Sequence, residues 1–120
     1  MSQEPTPTAL SAEDTKLVTL ARATRARTQA AEGAAVRDLD GRTYAAATVE
    51  LDALHLSAVQ ACVAMAVAAG SRGLAAVVVL GDATELTSPD RAVLDEYAGP
   101  DVVVHLGDAR GAIRPRADAT

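Results

Sequence analysis

Residues 33–51 read GAAVRDLDGRTYAAATVEL, and residues 54–70 read LHLSAVQACVAMAVAAG. The first stretch is two apolar or alternating runs around Asp40-Gly41, a dipeptide suited to a tight hairpin because glycine accepts positive φ. It predicts two antiparallel strands, 33–38 and 42–49. The second stretch predicts a helix from His55 to Gly70, closed by glycine at its C-terminal cap. Its clearly polar side chains are His55, Ser57 and Gln60, and a helix apolar nearly all round is expected to be buried.

Working outward, Ser11 with Asp14 three residues later resembles a capping box and opens a helix over 12–28, with Leu17, Val18, Leu20, Ala21 and Thr24 on or near its apolar stripe. LAAVVVL, 74–80, is a continuous run of the kind found in strands covered on both faces. Ser88-Pro89-Asp90 predicts a further helix to Ala98, with Ser88 as N-cap, proline at the first helical position and an acid at the positive helix end. VVVHL, 102–106, reads as a last strand. The order is αββαβαβ, which implies a three-layer α/β fold around a mixed sheet. One domain is expected over 11–108, flanked by flexible tails at 1–10 and 109–120.

A chain of 120 residues, 49% hydrophobic and 22% charged, has globular composition. The aromatics are Tyr44 and Tyr97 alone, so Ala, Val and Leu must fill the core. A formal net charge of −5 argues against a surface that neutralises nucleic-acid phosphates. The single cysteine, Cys62, excludes an intrachain disulfide and any intrachain zinc site built on two thiolates. The opening residues carry neither the basic nor the apolar segment of an export signal, and no apolar run approaches a membrane span. A soluble cytoplasmic protein without membrane contact is the expectation.

Asp40, Gly41, Arg42, Tyr44, Val49 and Glu50 stand in register with a hairpin of form D-G-R-x-Y-x-G-x-N-V-E. In that pattern the chain resembles the small homo-oligomeric cytidine deaminases. Ala46 replaces the pattern's glycine and Thr48 its asparagine. The register runs on without a gap, placing Ser57-Ala58-Val59 where the family has Cys-Ala-Glu, and SPDRAVLDEY, 88–97, resembles its S-P-C-G-A-C-R-Q-V-L region. The resemblance covers residues 12–107 and implies the cytidine-deaminase-like fold.

The resemblance also implies a zinc ion held at two helix N-termini, activating water while a glutamate shuttles protons. Here Ser57 stands for the first thiolate, Val59 for the glutamate, and Pro89 and Asp90 for a shortened Cys-x-x-Cys turn. Ser57, Val59, Pro89 and Asp90 are therefore read as a degenerate former site, with no catalytic residue, metal ligand or cofactor assigned. His55, Cys62, Asp90 and His105 are the remaining side chains with ligand chemistry, and their spacing does not bring them to one point. Thr48, Glu50 and Ser57 are left as ligand-binding candidates, although Glu50 equally suits an ion pair with an arginine. The expectation is an inactive relative that assembles as a dimer or tetramer through the Ala-rich 57–69 helix, or binds a nucleoside-like small molecule. The alternative is a nucleoside deaminase with an atypical site.

Overall fold

Asp38 organises the hairpin in a computed structural model that describes residues 10–115. Its Oδ1 accepts the amides of Asp40 and Arg42, each at 2.9 Å, and its Oδ2 accepts the hydroxyls of Ser71 at 2.6 Å and Tyr44 at 3.1 Å. Gly41 turns the chain with φ 89°, a conformation that costs other residues a Cβ clash. The hairpin strands are β1 (Gly33–Asp38) and β2 (Thr43–Ala47), preceded by helix α1 (Ala12–Thr28). After them come β3 (Val49–Glu50), β4 (His55–Leu56), α2 (Ala58–Ala68), β5 (Leu74–Leu80), α3 (Ser88–Tyr97) and β6 (Val103–Gly107).

The main sheet has the order β2-β1-β5-β6. β1 pairs antiparallel with both β2 and β5, whereas β5 and β6 are parallel, so the sheet is mixed. Successive side chains of β1 and β5 serve opposite layers, as the period of two requires. Leu17 and Ala21 of α1 pack with Ala35, Ala76, Val78 and Leu80 on one face. Val59, Cys62, Ala66 and Leu94 of α2 and α3 pack with Ala34, Val36, Val77 and Val79 on the other. This is the three-layer α/β arrangement that the alternating pattern implies.

Four element boundaries differ from the sequence reading. The second strand breaks at Thr48, whose amide donates to the Glu32 carbonyl at 3.1 Å, and the chain resumes as the small β3–β4 ribbon. His55 and Leu56 belong to that ribbon, and α2 starts at Ala58 because Ser57 is extended (φ −70°, ψ 165°) and caps it. Thr87, not Ser88, caps α3, which moves Pro89 one position into the first turn. The last strand is shifted by one residue, to Val103–Gly107.

Two wider expectations also change. α2 is not covered all round by its own chain: Ala64, Met65, Val67 and Ala68 are exposed, Val67 at 52%. The segment expected as a C-terminal tail is docked over 109–115, where Ile113 bridges Gly107 and the Arg114 amide donates to the Leu106 carbonyl at 2.7 Å. Residues 1–9 and 116–120, the rest of the expected tails, lie outside the described residues. Among the described residues no helix is long and apolar enough to cross a membrane.

Candidate functional site

The N-termini of α2 and α3 meet through side chains. Ser57 closes a capping box with Gln60: its Oγ accepts the Gln60 amide at 3.0 Å, and Gln60 Oε1 accepts the Ser57 amide at 2.9 Å. The Ser57 hydroxyl then donates to Asp90 Oδ1 at 2.5 Å. Asp90 itself is 3% exposed and has its amide capped by the Thr87 hydroxyl at 3.3 Å. One hydroxyl therefore serves as cap acceptor for one helix and as donor to the buried acid of the other.

Glu32 adds a second carboxylate at this junction. Its backbone is fixed to the strand break, because the Glu32 amide donates to Thr48 Oγ1 at 3.0 Å while the Thr48 amide donates back. Burial pushes the Glu32 carboxyl above its ordinary value, the nearby Asp90 carboxylate pushes it the same way, and the Ala58 amide at the start of α2 opposes both. Among the described residues no cation compensates this acid.

Glu32, Thr48, Glu50, His55, Ser57 and Gln60 line an open cavity of about 440 Å³, which Asp82 and Ala83 of the loop after β5 also border. Glu50 and His55 face each other across the β3–β4 ribbon, with His55 Nδ1 3.0 Å from Glu50 Oε1 and both side chains largely exposed. Glu50 thus finds a histidine and not the arginine that its position suggests. Arg114 holds the loop that carries Asp82 and Ala83, its guanidinium donating to the Gly81 and Ala83 carbonyls at 3.1 and 3.0 Å.

Of the residues singled out in the sequence, Thr48, Glu50, His55 and Ser57 come together in this cavity. Asp90 lies buried at Ser57, Val59 is fully buried in the core, and Pro89 is exposed. Cys62 packs in the same core, where burial pushes its thiol up to about 12. His105 is held on α1 by Asp14, at 2.9 Å, on the other side of the sheet. Glu32 and Asp82 were not legible as site residues. A single acid before a strand or after one carries no spacing signal, and only the fold brings these two to the cavity.

A family model for cytidine deaminase-like domains matches residues 10–111. The chain belongs to the cytidine deaminase-like family. Among solved structures, the cytidine deaminase of Burkholderia pseudomallei is similar at 26% identity and a TM-score of 0.74, covering 88% of this chain and 91% of that one. The cytidine deaminase of Mycobacterium leprae is similar at 25% identity and a TM-score of 0.65, with 88% and 93% covered. A Mycobacterium tuberculosis cytidine deaminase shares the fold at 24% identity and a TM-score of 0.66, over 88% and 91%. No curated protein sequence matches the chain.

The zinc that the cytidine deaminase-like resemblance implies can be tested against the groups at the helix junction. Ser57 supplies a neutral hydroxyl and Asp90 one carboxylate oxygen already taken by that hydroxyl. Among the described residues no group of three or more His, Cys, Asp or Glu side chains is placed to hold a metal ion. Protein zinc is bound by three or four such ligands, so this donor set does not fit it.

Proposed function

We propose that this cytidine deaminase-like chain binds a nucleoside-like small molecule without zinc-dependent deamination, and does so as a homo-oligomer. The observation that carries the reading is the Ser57–Asp90 hydrogen bond, 2.5 Å long, between the helix N-termini where the resemblance calls for a metal bridge. A hydroxyl–carboxylate link holds the two helices together in place of that bridge. It leaves a cavity of about 440 Å³, within the size range of small-molecule sites. Thr48, Glu50, His55 and Gln60 offer hydrogen-bonding groups along it, and the solved cytidine deaminases with the same fold suggest a nucleoside as occupant.

Assembly is supported by α2. Its exposed Ala64, Met65, Val67 and Ala68 form an apolar face that a second copy would cover, and small residues let helices approach closely. The ligand-binding reading and the assembly reading concern different parts of α2, its N-terminus and its outer face.

Four measurements on the purified chain test this: native mass, metal content, thermal stability across a nucleoside panel, and turnover of cytidine with and without a chelator. The expected result is a dimer or tetramer without stoichiometric zinc, stabilised by at least one nucleoside, since a ligand selective for the folded state raises its stability. Conversion of cytidine to uridine that is abolished by chelation would overturn the non-deaminating reading. A monomer at micromolar concentration would remove the assembly half.

A further inference from the structure

The charge of the cavity sets what kind of molecule suits it. Glu32, Glu50 and Asp82 border it, and among the described residues no lysine or arginine does. Arg114, which binds the loop at the cavity's edge, is occupied by the Gly81 and Ala83 carbonyls. His55 is paired with Glu50. Glu32, the least exposed of the three acids, sits in the field of buried Asp90 as well.

A helix N-terminus ordinarily attracts anions, because its first amides point outward unpaired. Here internal acceptors have taken that place. The Ser57 amide goes to Gln60 Oε1, the Gln60 amide to Ser57 Oγ, and the Ala58 amide faces the Glu32 carboxylate. The Asp90 amide of α3 is likewise held by Thr87. A phosphate entering the cavity would meet three carboxylates and find these donors occupied, whereas an ammonium group would meet Glu32 and Asp82, neither of which is paired with a cation among the described residues.

We propose that this cavity selects polar molecules carrying a protonated amine and rejects phosphorylated ones. The inference rests on the reading of the cavity as a nucleoside-like site and adds the charge class of its occupant. Glu32 is assigned as the principal partner of the ammonium, since charges at a partly buried carboxylate are less screened than those of the exposed Glu50 and Asp82.

The test uses calorimetric titration of the full chain with three kinds of ligand: uridine, analogues with an amine in place of one ribose hydroxyl at a time, and uridine monophosphate. The expected result is that at least one amine analogue binds about tenfold tighter than uridine and the monophosphate about tenfold weaker, with the amine's advantage shrinking in ~0.5 M salt. Glu32→Gln should reduce the amine's advantage, read as the ratio of amine to uridine affinity within the variant. If uridine binds and no amine analogue exceeds it, or the monophosphate binds more tightly, the charge selection is overturned and the nucleoside reading survives. If none of the ligands binds, both fall. The salt dependence in the parent chain reads the same charge effect without any variant.

Discussion

Ser57 and Asp90, 33 residues apart in sequence, are joined by a 2.5 Å hydrogen bond from hydroxyl to carboxylate. Ser57→Ala removes the α2 cap and leaves the buried Asp90 without its side-chain donor. Losing a cap costs about 1 kcal/mol and orphaning a buried acceptor about 1–3 kcal/mol. The expected outcome in urea denaturation is a loss of about 2–4 kcal/mol. Ser57→Thr, which keeps the hydroxyl, should recover most of it. Equal stability of Ser57→Ala and the parent would show that this link does not hold the helices.

Asp14 ties α1 to the sheet, with Arg37 Nη1 2.9 Å from its Oδ1 and His105 Nε2 2.9 Å from its Oδ2. Burial by itself raises this carboxyl, but the His105 hydrogen bond and the Arg37 ion pair outweigh it, and it lies below the ordinary value of 3.8. A carboxyl depressed in the folded state adds stability above its unfolded value, and that stability disappears as pH falls through the folded value. Asp14→Asn should therefore cost about 2 kcal/mol near neutral pH and progressively less in acid below the unfolded value. Denaturation midpoints of parent and variant across an acid series check this, and parallel curves at every pH would refute it.

Glu32 has the opposite sign. Its folded value is raised above 4.5, so its ionisation opposes folding, and the opposition sets in as pH rises from the unfolded value through the folded one. Glu32→Gln, which cannot ionise, should melt higher than the parent near neutral pH and match it in acid. A neutral-pH melting temperature at or below the parent's would contradict the account of Glu32 as an uncompensated acid.

At Gly33 α1 lies directly against β1. A side-chain carbon there would run into the Ala21 carbonyl and come within 2.7 Å of Arg25 Cβ. Gly33→Val should cost about 1–3 kcal/mol through overpacking, or more if α1 lifts from the sheet. A substitution at Gly70 is a control of another kind: nothing lies within 4 Å of a Cβ there, but its φ of 89° penalises any side chain. Gly70→Ala should therefore cost about 1 kcal/mol for backbone reasons alone. Guanidinium unfolding of both variants separates steric from conformational cost.

What the sequence determined about this protein is local and periodic. Asp40-Gly41 between two apolar runs specified the β1–β2 hairpin, the β-branched run at 74–80 specified β5, and the same periodicities placed α1 to within a residue. The absence of a second cysteine was equally plain because it is a matter of composition. Tertiary structure decided the rest. Whether Ser57 began α2 or sat inside it depended on the β3–β4 ribbon, and whether α2 was buried all round depended on how many layers one chain supplies. Residues 109–115 looked like a tail until Arg114 found the Gly81 and Ala83 carbonyls. Glu32 meeting Asp90, and Asp14 meeting His105 across 91 residues, have no trace in spacing. Periodicity tells which face of an element a side chain occupies, but its charged neighbours come from elements packed against that face, and those are fixed only when the layers close around the sheet.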